Sequence, residues 1–199
     1  MVVSHTHQFV ILGIPKTATH SVSAMFSDYH DVLCVNKIPS APLYPHATSR
    51  NLRKGFAAHG WDWDSYYKVA IVRNPWDRFL SAINFIKDQR KDLLAELGGD
   101  DDKIFYNIVR AWSSQFDYFL DSPGIITVDQ IIQFESIEEG LATFMATVGV
   151  RPGLKLPHLN PSTKQVNSAD VYSDAMIKEV AHKEWRLVEM FDYKFEQKY

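Results

Sequence analysis

Lys16 lies in the stretch Gly13-Ile14-Pro15-Lys16-Thr17-Ala18-Thr19-His20-Ser21, with hydroxyls at positions 17, 19 and 21. The apolar run Phe9-Val10-Ile11-Leu12 precedes it, and Val22, Met25 and Phe26 follow at helical spacing. That order predicts a strand, a tight turn and a helix. The first amides of a helix lack intrahelical acceptors, the helix dipole favours negative charge there, and a lysine adds a full positive charge. The stretch therefore suits a phosphate or sulfate. The competing reading is an ordinary strand-to-helix turn whose threonines and serine cap the helix. It is not a Walker A loop: the lysine comes early, no second glycine precedes it, and Ala18 follows Thr17.

A second strand-turn-helix follows in Val69-Ala70-Ile71-Val72-Arg73-Asn74-Pro75-Trp76-Asp77-Arg78-Phe79-Leu80-Ser81. Arg73 stands at the strand's end, and Pro75 lies near the first helical turn, where a missing N–H costs little. Ser81 comes about two helical turns later and can face back toward the strand end. Arginine with a hydroxyl makes a good phosphate clamp, because the guanidinium fork gives paired, charge-assisted bonds. The plainer alternative is a structural arginine paired with Asp77.

Together the two stretches resemble the sulfotransferases that use 3′-phosphoadenosine 5′-phosphosulfate (PAPS). Pro15-Lys16-Thr17-Ala18-Thr19-His20-Ser21 is similar to that family's P-K-T-G-T-T-S loop, and residues 72–81 are similar to its V-R-N-P-x-D-R-x-x-S segment. The nearest subgroup is the carbohydrate-type and bacterial enzymes. The resemblance implies a three-layer, P-loop NTPase-like α/β fold with a central, mostly parallel sheet, in one domain over residues 1–199. It also implies that the loop from Pro15 to Ser21 holds the 5′-phosphosulfate, with Lys16 stabilising the leaving group, while Arg73 and Ser81 hold the 3′-phosphate. PAPS would be the co-substrate, 3′-phosphoadenosine 5′-phosphate (PAP) the product, and no metal would be required. Ala18 stands where the family usually has glycine, narrowing the room for close backbone approach. His20 replaces a hydroxyl, and Gln133 stands where arginine is frequent in a segment resembling R-F-E-x-L.

Sulfuryl transfer needs a base for the acceptor hydroxyl, and imidazole suits that task near neutral pH. The resemblance points first to His46, in His46-Ala47-Thr48, and second to His59, which also precedes the Arg73 strand. Leu156-Pro157-His158-Leu159-Asn160-Pro161-Ser162-Thr163-Lys164 is similar to the L-P-H-x-N-x-S segment of the same enzymes. His158, Asn160 and Lys164 can close over the donor there, or the segment is a rigid surface connection. Two other functions stay open: a P-loop-like ATP-dependent kinase, and a non-catalytic PAPS- or nucleotide-binding module.

The remaining composition sets bounds. The 199 residues are 46% apolar and 23% charged, which is ordinary for one globular domain. A net charge of −3 argues against a nucleic-acid partner, so any anion site is local. The resemblance implies a small-molecule or carbohydrate acceptor. Cys34, the single cysteine, allows no internal disulfide and reads as a small buried side chain in a reducing compartment. No basic leader precedes the first apolar run, which is too short for a signal or a span, so a soluble, cytoplasmic protein without membrane contact is expected.

Other elements follow from periodicity. Residues 31–35 read as a strand, as do residues 125–128 and 131–135. Thr48 or Ser49 caps a short helix, and Trp61, Trp63, Tyr66 and Tyr67 read as packing. Residues 98–102 read as a solvated acidic turn, and residues 104–119 as one amphipathic helix. Ser136 with Glu139 forms a capping box for a helix that Gly149 ends. Residues 176–191 read as one long C-terminal helix.

Overall fold

The computed structural model describes residues 1–31, 43–121, 124–159 and 171–196. Three apolar runs form parallel strands, β2 (Phe9–Ile11), β3 (Tyr67–Val72) and β4 (Gln130–Gln133). A further strand, β1 (Val2–Ser4), adds an antiparallel edge beside β2 in a segment with no strand pattern of its own. Eight α-helices occur among the described residues: α1 (Thr19–Met25), α2 (Ser49–Ala58), α3 (Pro75–Gln89), α4 (Lys91–Glu96), α5 (Asp101–Ala111), α6 (Ile137–Val148), α7 (Asp174–Lys183) and α8 (Trp185–Phe191). The protein is thus a mixed α/β fold with a four-stranded, mostly parallel sheet. The chain divides into two compact units, Met1–Val72 with Asp117–Leu159, and Arg73–Phe116 with Asn160–Tyr199.

The first unit contains the whole sheet. Register sets Val2 opposite Ile11, Ile11 opposite Val69, and Ile71 opposite Ile132, so these side chains share one face. That face packs with Val22 and Phe26 of α1 and with Leu141, Phe144 and Met145 of α6. Phe9, Phe26 and Phe144 meet edge to face, with ring centroids 5.1–5.8 Å apart. Each such phenyl group contributes about 1.5–3 kcal/mol by burial. Gly140 lets α6 sit close on β4: a Cβ there would lie 2.4 Å from Ile132 Cγ2. Behind α2, Phe56 packs against Trp61, Trp63 and Tyr66, so the aromatic cluster is packing.

Several local expectations change. Residues 32–35 of the strand expected at 31–35 lie outside the described residues, as does Cys34. Residues 125–128 form no strand beyond a single bridge between Leu120 and Ile126. Ser136 is the N-cap of α6 but makes no side-chain cap bond, because a 3₁₀ turn (Phe134–Ser136) runs directly into the helix. Thr48 caps α2 and Gly149 ends α6 with φ 69°, both as expected.

In the second unit, Asn74 caps α3 by accepting from the amides of Trp76 and Asp77, and Pro75 opens the helix. The acidic run is a helix start rather than a free turn: Asp100 caps α5, and Asp101 pairs with Lys87 at 2.6 Å. α5 stops at Ala111, where Trp112 turns extended, so the apolar period over residues 104–119 is shared between a helix and a 3₁₀ turn (Phe116–Phe119). The C-terminal helix is likewise two helices, α7 and α8, broken at Glu184. Glu184 lies fully buried at that break, where its charge needs hydrogen-bonding partners.

Candidate functional site

Because β2, β3 and β4 run parallel, their carboxyl ends lie on one edge of the sheet, where open α/β sheets bind ligands. The loop after β2 leaves that edge. Gly13 is needed at its start because a Cβ would lie 1.9 Å from the carbonyl oxygen of Pro45 and 2.7 Å from the nitrogen of Met1. This close approach delivers His46 to the loop: its ring Nδ1 lies 2.6 Å from the carbonyl oxygen of Gly13. A carbonyl only accepts, so Nδ1 carries the hydrogen of that bond.

Two non-glycine residues of the loop, Lys16 (φ 67°) and Ala18 (φ 61°), adopt the left-handed conformation. Such strain is retained where surrounding structure over-determines it, often at functional sites. Here the Thr17 and Thr19 hydroxyls supply the constraint, donating at 3.0 and 2.8 Å to the carbonyl oxygen of Ile14. Their protons are thus committed to the loop itself. Donors for an anion are then Lys16 and the backbone amides ahead of the first helical bond, from the Val22 amide to the Ala18 carbonyl. No threonine caps α1; its N-cap is Ala18, without a side-chain bond.

The Ala18 departure is therefore conformational rather than spatial. Replacing Ala18 by glycine is expected to stabilise the fold by about 0.5–1 kcal/mol, since relief of left-handed strain exceeds the entropy that glycine adds to the unfolded chain. A thermal melt should show a rise of roughly 1–4 °C; an unchanged or lower midpoint would refute it.

Ser21, buried on α1, accepts a hydrogen bond from the amide of Leu159 at 3.3 Å. The structure thereby brings Pro157-His158-Leu159 onto the same helix, with His158 exposed. Pro15 is half-buried, and His20 points to solvent. Asn160 and Lys164 lie outside the described residues. His59 is placed elsewhere. It is exposed at the C-terminal cap of α2, donates from Nδ1 to the Gly55 carbonyl at 2.7 Å, and stacks on Trp61. Trp61 in turn meets His5, which follows β1 where Ser4 pairs with Phe9. That is the amino end of β2, opposite the Lys16 loop.

In the second unit Arg73 is half-buried directly before α3, and Ser81 is half-buried on that helix. The backbone of Arg73 is held by Gln115: its amide donates to Gln115 Oε1 at 2.9 Å, and Gln115 Nε2 donates to the Arg73 carbonyl at 2.9 Å. Gln115 is itself fully buried, and its own amide donates to the Glu184 carboxylate. Ser114 Oγ donates to the same carboxylate at 2.8 Å, and Arg78, fully buried on α3, pairs with it at 2.8 Å. Burial pushes the Glu184 carboxyl above its usual range; the Arg78 guanidinium, the Ser114 hydroxyl and the Gln115 amide pull against that.

Gln115 and Glu184 carry no signal in the sequence, because each looks like an ordinary polar residue until its distant partners are known. A surface hollow of about 540 Å³ in this unit, bordered by Leu97, Tyr106 and Arg110, contains none of the expected site residues. Among the described residues, no group of three or more His, Cys, Asp or Glu side chains is arranged to hold a metal. No helix there is long and apolar enough to cross a membrane.

Comparison with known proteins gives one finding. No curated protein and no solved structure matches the chain. The model described as Sulfotransferase family matches residues 1–194, spanning both stretches with Lys16 and Arg73, and the chain belongs to that family.

Proposed function

We propose that the protein moves a sulfuryl group from PAPS to a hydroxyl of an acceptor, a carbohydrate, within a P-loop-like sulfotransferase fold. The observation behind this reading is Lys16, held in a strained left-handed conformation in the tied loop after a parallel strand, in a chain of the sulfotransferase family. In the reaction, the acceptor oxygen attacks sulfur as the bond from sulfur to the 5′-phosphate oxygen breaks. The acceptor proton goes to a base and PAP leaves.

Lys16 and the loop amides from Lys16 to Ser21 hold the 5′-phosphosulfate, with Pro15 leading into them, and Lys16 offsets the charge growing on the leaving oxygen. Thr17 and Thr19 act by holding the loop, given their bonds to Ile14. Ser21 keeps its own proton to donate, because its oxygen accepts from Leu159. Arg73 and Ser81 hold the 3′-phosphate and so distinguish PAPS from ATP. His46 is the base: imidazole suits the acceptor proton near neutral pH, and its ring meets the loop at the Gly13 carbonyl. His158, Asn160 and Lys164 add polar contacts to the donor. The rest is positioning and electrostatics, and the reaction calls on no metal. The protein works in the cytoplasm as a soluble enzyme.

Calorimetric titration with PAP beside ADP tests the donor. Wild type is expected to prefer PAP, and Arg73→Ala to lose about 10–100-fold in PAP affinity while ADP affinity holds. Equal binding of the two ligands by wild type would overturn the reading and favour an ATP-using enzyme. PAP binding without transfer to any acceptor hydroxyl would favour a binding module.

A further inference from the structure

After Val72 the ladder between β3 and β4 ends, since Val72 pairs with Gln133, the last residue of β4. The next N–H and C=O, those of Arg73, then need partners that the sheet does not supply. One side-chain amide serves both. Gln115 accepts from the Arg73 N–H and donates to the Arg73 C=O, each at 2.9 Å, as a neighbouring strand would. A carboxamide presents a donor and an acceptor side by side. The side chain is fully buried, so water does not compete for either bond.

Gln115 is fixed in turn. Its amide lies 3.2 and 3.0 Å from the two oxygens of Glu184, which also receives Ser114 Oγ and Arg78 Nη1, both at 2.8 Å. A carboxylate from the break between α7 and α8 therefore anchors the Ser114-Gln115 turn, and that turn fixes the backbone of Arg73. Backbone orientation at Arg73 sets the direction in which its Cα–Cβ bond leaves, and hence where the guanidinium points.

We infer that Gln115 is a positioning residue that aims Arg73 at the 3′-phosphate of the donor, with Glu184 as its anchor. This rests on the reading that Arg73 binds that phosphate. Gln115→Met keeps the length of the side chain and removes both bonds. It is expected to lower PAP affinity about tenfold while leaving ADP affinity within about twofold. On an Arg73→Ala background the same change is expected to have no further effect on PAP binding, because the group it aims is gone.

A merely structural glutamine would weaken both ligands alike or neither. Gln115→Asn, which retains an amide on a shorter side chain, should fall between wild type and Gln115→Met and guards against loss of fold. Wild-type preference for PAP in either folded variant would overturn the inference. A wild type that does not prefer PAP would instead overturn the role of Arg73 on which it rests.

Discussion

Replacing Arg78 by alanine is expected to cost the fold about 3–5 kcal/mol, because it leaves the Glu184 carboxylate buried without its counter-charge. Both side chains of the pair are fully buried, and their contact is 2.8 Å. The Arg78 guanidinium also stacks against the rings of Phe79 and Trp112, so the substitution opens a void as well. The check is urea denaturation, read as a fall in midpoint at constant slope. A loss under about 1 kcal/mol would mean that the pair is solvated in solution, as surface pairs are.

The double replacement Arg78→Met with Glu184→Leu refines the test. Exchange of a buried ion pair for apolar groups of similar size is often neutral or stabilising. Here recovery is expected to be incomplete, because the amide of Gln115 and the hydroxyl of Ser114 lose their acceptor. Each orphaned donor costs about 1–3 kcal/mol. Full recovery would show that those two groups find other partners and that Glu184 anchors nothing.

His46→Asn is expected to lower kcat by about 10²–10⁴-fold, the range for removal of a general base, while PAP affinity stays close to wild type. Asparagine can still donate toward Gly13 but has no basic nitrogen in place of Nε2. The acidic limb of the wild-type rate against pH should accordingly vanish in the variant. His59→Asn serves as the contrast: at the amino end of β2, stacked on Trp61, it is expected to change kcat by less than about twofold. Steady-state kinetics with any accepted hydroxyl compound decides between them. Comparable losses in both variants would show that histidine acts on the fold rather than on the proton.

Local signals in the chain were strong wherever a single element carried them. The continuous apolar runs from Phe9 and from Val69 announced β2 and β3, and Pro75 announced the start of α3. The Lys16 loop was legible for the same reason: its strand, turn and helix are contiguous, and charge and hydroxyls sit within nine residues. Where the reading failed, a tertiary partner overrode a local pattern. One apolar period ran through residues 176–191, yet burial of Glu184 against Arg78 split the helix in two. Val2–Ser4 became a strand only because β2 offered an unpaired edge.

The sequence by itself determined the α/β class, the strand-turn-helix that carries Lys16, and the placement of Arg73 at the end of β3 ahead of Ser81 on α3. These depend on residue types at short spacing, which backbone geometry converts directly into position. Tertiary structure alone decided which histidine meets the loop, since His46 and His59 both precede β3 and differ only in what their segments pack against. It also decided what the loop hydroxyls do, because the Ile14 carbonyl takes their protons. The same holds for Gln115 and Glu184, whose partners lie 42 and 106 residues away. Buried polar groups must find acceptors and donors somewhere in the fold, and only the folded chain shows where.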